Sequence, residues 1–196
     1  MNKGLIVLLS IVGVVVLAGL FLAGAYNGLV QMDERVNEAW AQVENVYQRR
    51  LDLIPNLVET VKGYAAHEKS TFIAVTEARS KAAMTLSPDV ITDPQKFQAF
   101  QESQGALSSA LSRLLVIVER YPELKANQNF LSLQAQLEGT ENRISVERGR
   151  FNEAAQLFNT RFRQFPTNVI GAMFGFRVKE YFKSDAQANM APKVQF

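Results

Sequence analysis

No charged residue occurs between Lys3 and Asp33, a run of 29 residues. Its first part, Gly4–Ala25 (GLIVLLSIVGVVVLAGLFLAGA), is 22 residues long, with one hydroxyl, Ser10, and no ionisable group. A helix of that length rises ~33 Å at ~1.5 Å per residue, enough to cross a hydrocarbon core of ~30 Å. A cleaved signal peptide is the competing reading, since Ala23-Gly24-Ala25 has the small residues of a cleavage site. The apolar core of a signal peptide runs only about 7–15 residues, so the longer run favours an anchor. From Leu29 the pattern changes to one apolar stripe. Leu29, Val36, Val43, Arg50, Leu57 and Tyr64 form one heptad row, and Trp40, Tyr47, Ile54, Val61, Glu68 and Val75 a second. Only Arg50 and Glu68 break the apolar character of that face, which predicts a bundle-facing helix to about Met84. Pro55 falls inside it and should kink or break the helix near Asp52.

Ser87-Pro88-Asp89 reads as a turn, and Asp93-Pro94 as an N-cap followed by proline at the first helical position. The next stripe is Phe97, Phe100, Gln104, Leu107, Leu111, Leu114, Val118 and Tyr121, ended by Pro122. A third long helix starts near Asn127 and keeps a seven-residue row, Phe130, Leu137, Ile144, Phe151, Phe158 and Phe165, before Pro166. The predicted fold is all-α: a transmembrane helix (residues 1–25), an antiparallel bundle of long helices (26–166) with its first helix kinked near Pro55, and an irregular apolar and aromatic tail (167–196). Arg177–Lys183 alternates in a way that suits a short strand.

The third helix carries a companion row of Gln134, Glu141, Arg148, Ala155 and Phe162, which places an acid and a base on its inward face. Ionisable groups at that depth must be paired. Together with the two exceptions on the first helix, this predicts a buried polar network of Arg50, Glu68, Glu141 and Arg148. Its simplest role is to fix register, with a functional polar site as the alternative.

Composition narrows the chemistry. There is no cysteine and one histidine, His67, which rules out disulfides, thiolate sites, cysteine nucleophiles and a His-rich zinc centre within one chain. His67-Glu68 is half of a zinc-protease helix, but Thr71 occupies the place of the second histidine. Phosphate-binding loops, dinucleotide fingerprints and nucleophile elbows are missing from the sequence. Nothing marks a catalytic centre or a cofactor site, and the expectation is a protein that is not an enzyme. With 21 basic and 19 acidic residues the balance does not suit a nucleic-acid binder. The charges are unevenly placed, however: residues 26–142 carry 11 basic and 15 acidic groups, residues 143–183 carry 8 and 3. That asymmetry favours association. The tail offers Val169, Ile170, Met173, Phe174, Phe176, Tyr181 and Phe182 as an interface; its alternative role is to cap its own bundle.

Three stretches carry a resemblance: Tyr26–Phe72, containing RRLDLIPNLVETVKGYA; Leu137–Pro166 (LEGTENRISVERGRFNEAAQLFNTRFRQFP); and Gly175–Phe182 (GFRVKEYF). The chain resembles the bacterial LemA family over most of its length after Tyr26. The resemblance implies a single-pass membrane protein with an antiparallel helical domain, and it brings no catalytic role. Its matching polar positions are Arg49, Arg50, Asp52, Asn56, Glu59, His67, Glu141, Asn142, Arg143, Arg148 and Asn152. Some members carry a lipidated cysteine where this chain has Ala25, so anchoring here falls to the span. The expected function is a membrane-anchored, self-associating scaffold of the bacterial envelope; the alternative is an accessory subunit for a membrane protease or transporter. Lys3 and the amino terminus on one flank favour a cytoplasmic N-terminus in the inner membrane, with the bundle outside. On three successive long helices, Pro166 and the tail should lie far from the lipid.

Overall fold

The computed structural model describes residues 3–183; the last part of the expected tail, 184–196, lies outside them. Helix α1 (Lys3–Lys62) is one uninterrupted helix of 60 residues. Its N-terminal part is exposed all round and is long and apolar enough to cross a membrane. Beyond Ala25 it buries a single face: Leu29, Val36, Trp40, Val43, Tyr47, Leu51, Ile54, Leu57 and Val61. The remaining elements are α2 (Lys69–Met84), a 3-10 turn (Pro88–Thr92), α3 (Pro94–Val118), the short α4 (Pro122–Lys125), α5 (Gln128–Arg163) and α6 (Thr167–Met173). The expected helix starts are built as their sequences suggest. Asp93 Oδ1 accepts from the N–H groups of Gln95 and Lys96, and Asn127 Oδ1 accepts from those of Asn129 and Phe130.

The first helix does not reach Met84. It ends at Lys62, and the chain turns through residues 63–68. Gly63 weakens the helix there, and the inward positions that follow, Tyr64 and Glu68, have little apolar surface to bury. Helix α2 then folds back along α1, so that Arg79 meets Leu51. Helix α3 runs outward again beside α1, with Phe97 and Phe100 against Trp40 and Ser108 against Arg50. Helix α5 returns: Asn127 bonds Tyr64, Glu141 faces Arg50, and Phe151 packs on Trp40. The body is thus an up-down-up-down bundle of α1, α2, α3 and α5.

The extra reversal changes where the chain goes last. Pro166 and the tail lie at the end of the bundle next to the apolar run, because α5 comes back toward Tyr26: the rings of Tyr26 and Phe174 are 4.7 Å apart. The expectation that the tail lies far from the lipid is therefore corrected. Helix α6 fits closely against the bundle at Gly171, where a Cβ would meet the Phe162 ring at 2.7 Å and Leu29 at 3.2 Å. Gly175, at φ +80°, ends α6. The Phe176 N–H bonds Gly171 O and the Gly175 N–H bonds Ala172 O, the paired bonds of a glycine helix stop.

Pro55 sits within α1 without ending it. A proline at 55 has no N–H to give the carbonyl of Leu51, four residues earlier. Arg79 Nε donates to that carbonyl at 2.7 Å, so the donor lost from α1 is supplied by α2. Replacing Arg79 by methionine is expected to cost about 1.5–3 kcal/mol, the range for a hydrogen bond from a charged group. With Pro55→Ala in the background the Leu51 carbonyl regains its own partner, and the same change should then cost close to nothing. Denaturant unfolding of the four variants in detergent measures this; equal costs in both backgrounds would refute the pairing.

Candidate functional site

The buried core is two apolar clusters with a polar layer between them. One cluster joins Leu51–Val61 of α1 to α2, to Leu107–Val118 of α3 and to Phe130. The other joins Leu29–Tyr47 to Phe97, Phe100, Ile144, Phe151, Phe158 and Phe182. At the level between them sit Arg50, Gln104 and Thr140, all buried. Arg50 Nη2 donates to Ser108 Oγ at 2.6 Å, and Nη1 lies 3.4 Å from Glu141 Oε2. Burial pushes the phenol of the neighbouring Tyr47 upward, while the Arg148 and Arg50 charges pull it down and Glu141 adds to the rise. A raised value in the folded state means that the fold favours the neutral phenol. That stabilisation is whole below the ordinary value near 10 and is lost as pH climbs through the higher folded value.

The four residues expected to form one network are split among three places. Arg50 is buried and faces Glu141, but the Glu141 side chain is 58% exposed, so the pair sits at the bundle's flank. Glu68 lies in the turn after α1 and pairs with Arg120 at 3.4 Å. Arg148 is half-buried; its Nη2 donates to Lys183 O at 3.2 Å and its guanidinium lies 4.6 Å from the centre of the Phe182 ring. A single buried network is therefore corrected to one buried arginine with a flank partner. The physical reason is the break after Lys62, which removes Glu68 from α1's stripe, and the place of Glu141 and Arg148 at the edge of α5's buried face, where one is exposed and the other half-buried.

The most built polar site is one the heptad rows did not mark. Residues 176–183 leave α6 and run back between α5 and the 3-10 turn. They form no strand, yet two asparagines bracket their backbone. Asn159 Oδ1 accepts from the Lys179 N–H at 2.8 Å, and its Nδ2 donates to Lys179 O at 2.9 Å and to the Tyr181 hydroxyl at 2.7 Å. Asn152 does the same for Phe182, with both bonds at 2.8 Å. The spacing explains the match: seven residues of α5 rise about 10.5 Å, close to three residues of extended chain. On the other side, the Glu180 N–H donates to Ile91 O at 3.0 Å.

Lys179 is 5% exposed, and its Nζ lies 2.7 Å from Asp33 Oδ1 on α1 and 5.3 Å from the centre of the Phe158 ring. Phe182 fills a pocket of aromatic rings from three helices, with Phe97 at 5.0 Å, Phe151 at 5.6 Å and Trp40 at 6.2 Å. The tail residues expected to form an interface therefore divide. Ile170 and Phe182 are buried in their own bundle, which corrects their assignment to an intermolecular face, and Phe176 and Tyr181 are half-buried against it. Val169, Met173 and Phe174 are exposed. This is a clasp rather than a reactive centre: amide brackets, one ion pair and an aromatic plug hold residues 176–183 onto the bundle. Among the described residues, no group of three or more His, Cys, Asp or Glu side chains is placed to hold a metal.

The profile of the LemA family matches residues 39–196, which takes in the bundle from the start of its Trp40 layer, both asparagine brackets and Phe182. The chain belongs to the LemA family. Magnetosome protein MamQ 2 of Paramagnetospirillum magneticum is 27% identical over 175 residues, 81% of this chain. Magnetosome protein MamQ of Magnetospirillum gryphiswaldense is 26% identical over 174 residues, 80% of this chain. Protein LemA of Metamycoplasma hominis is 23% identical over 147 residues, 75% of this chain. The match spans 64% of the length of each of these LemA-like relatives.

If the asparagine bracket is what seats the segment, Asn159→Ala leaves the Lys179 N–H and C=O buried without partners. The expected cost is about 2–4 kcal/mol, from two unsatisfied groups. Hydrogen exchange reads it directly: the amides of Lys179 and Phe182 should lose protection together, while those of α3 keep theirs. Unchanged protection at both positions would show that the bracket does not hold the segment.

Proposed function

We propose that this LemA-family chain is a non-enzymatic, membrane-anchored scaffold of the bacterial envelope that associates with further copies of itself through the side of its bundle. The observation that carries the reading is the unbroken run of α1 from the apolar segment into the bundle core, with no linker between. About 37 residues of helix beyond Ala25 make a stiff post of about 55 Å at ~1.5 Å per residue, held at a fixed angle to its anchor. A rigid mounting of this kind suits a spacer or scaffold.

A groove between α1 and α5 supports pairing of copies. Met32, Ala154 and Leu157 line its floor, and Arg35, Arg150 and Glu153 its rim. Leu157 is exposed, and the rim carries both charges, so a twofold arrangement can set an arginine of one copy against Glu153 of the next. We place the N-terminus in the cytoplasm and the bundle outside the inner membrane.

The mass of the detergent-purified chain tests this reading. A discrete oligomer that falls to a monomer on Leu157→Glu is the expected result. A monomeric wild-type chain would count against self-association and favour an accessory subunit that waits for a membrane protease or transporter.

A further inference from the structure

We propose that α6 and the turn before it are a second membrane contact, seated in the headgroup layer of the bilayer that α1 crosses. The inference rests on the reading of residues 4–25 as the span. A run of that length matches the hydrocarbon thickness, which sets Tyr26 at the boundary between acyl chains and headgroups, the level where tyrosine rings collect in membrane proteins. Helix α6 is fixed at that same level. Phe174 packs on Tyr26 at 4.7 Å and Phe176 at 6.0 Å, while Gly171 sits against Leu29.

What α6 shows to its surroundings at that height is apolar. Its inward side is Thr167, Ile170 and Gly171. Val169 and Met173, four residues apart and so on one face, point away from the bundle, with Phe165 and Phe174 flanking them. Phe165 is 83% exposed and Met173 77%, and with Val169 and Phe174 they put four large apolar side chains of one ten-residue stretch at the surface. A lipid interface gives such side chains an apolar layer to enter.

The charges around this patch have the sign that phospholipid headgroups favour. Arg161 and Arg163 lie in the last turn of α5, and Arg177 follows Gly175; all three are exposed. Asp33, the first acid on α1 beyond the apolar run, is already paired with Lys179. The shift to basic residues after residue 142 thus falls on the segment that returns to the membrane. Arginines beside exposed apolar side chains at one level suit an anionic bilayer: the side chains enter the acyl boundary and the guanidinium groups meet phosphates. Two contacts with one bilayer, the span and α6, would fix the tilt of the post, which a single helix leaves free.

The absence of native cysteine makes the test direct. Met173→Cys, Val15→Cys in the span and Ile73→Cys at the far end of the bundle are each labelled with an environment-sensitive fluorophore in the whole chain. They are reconstituted into vesicles of phosphatidylcholine and phosphatidylglycerol, with and without nitroxide-bearing lipid. The expected result is quenching at 15 by deep nitroxides, at 173 by shallow ones, and none at 73. Quenching at 15 with a water-like, unquenched label at 173 overturns the second contact and leaves the anchor standing. A blue-shifted label at 173 that lipid nitroxides do not quench also overturns it, because a protein surface would then be covering the patch. No quenching at either 15 or 173 overturns the span and the contact together.

Discussion

A helix that passes from lipid into a protein core without a break has to satisfy two solvents in turn. In lipid it can be apolar on every side; beyond the boundary only one stripe can be, and that stripe must find partners along its whole length. Helix α1 meets this demand with a row from Leu29 to Val61, and two positions on the row are charged, Asp33 and Arg50. Each charge determines what must pack against it. Arg50 draws in Ser108 of α3 and Glu141 of α5, which fixes the level at which three helices cross. Asp33 draws in Lys179, and with it the segment from Phe176 to Lys183.

The second pairing is the more demanding. An ammonium at 5% exposure is costly to desolvate, and an apolar pair in its place could be as stable or more so. What the pair adds is selectivity. An apolar residue at 179 could slide along α5 or be replaced by any neighbour in a segment that also holds Val178, Tyr181 and Phe182. A lysine that needs Asp33, flanked by backbone groups that need Asn152 and Asn159, admits one register. That register places Phe182 among the rings of Trp40, Phe97 and Phe151 and so fills the apolar cluster on the membrane side of the Arg50 layer.

Much of this was legible in the sequence, because it follows from helical period. The long apolar start of α1, the buried rows of α1, α3 and α5, and the Asp93 cap appear where the pattern puts them. The break after Lys62 was harder to see. The heptad row runs on through it in phase, and only Gly63 and the polar Glu68 hint that the face has nothing left to bury. Missing that break also reversed the direction of the last helix and the placement of the tail. The clasp left two signals. Seven residues before Trp40 stands Asp33, an acid at the head of the row that continues through Tyr47, Ile54 and Val61. The pair Phe-Asn recurs at 151–152 and 158–159, one heptad apart, which places two amides side by side next to buried rings. Lys179 itself left none: a side chain bonded across 146 residues of sequence has no local period to betray it. Arg79 was hidden for the same reason, although the proline it serves was plain.

The return of the chain to the root of α1 is the claim on which the clasp and the closed core depend. It is tested most directly by placing cysteines at Tyr26 and Phe174 of a chain that has none, and treating the protein in native membranes with a short bifunctional thiol reagent. The account predicts a rapid link between positions 26 and 174 of the same chain, found as one cross-linked peptide pair at unchanged monomer mass. No link, or links only between two chains, would contradict it.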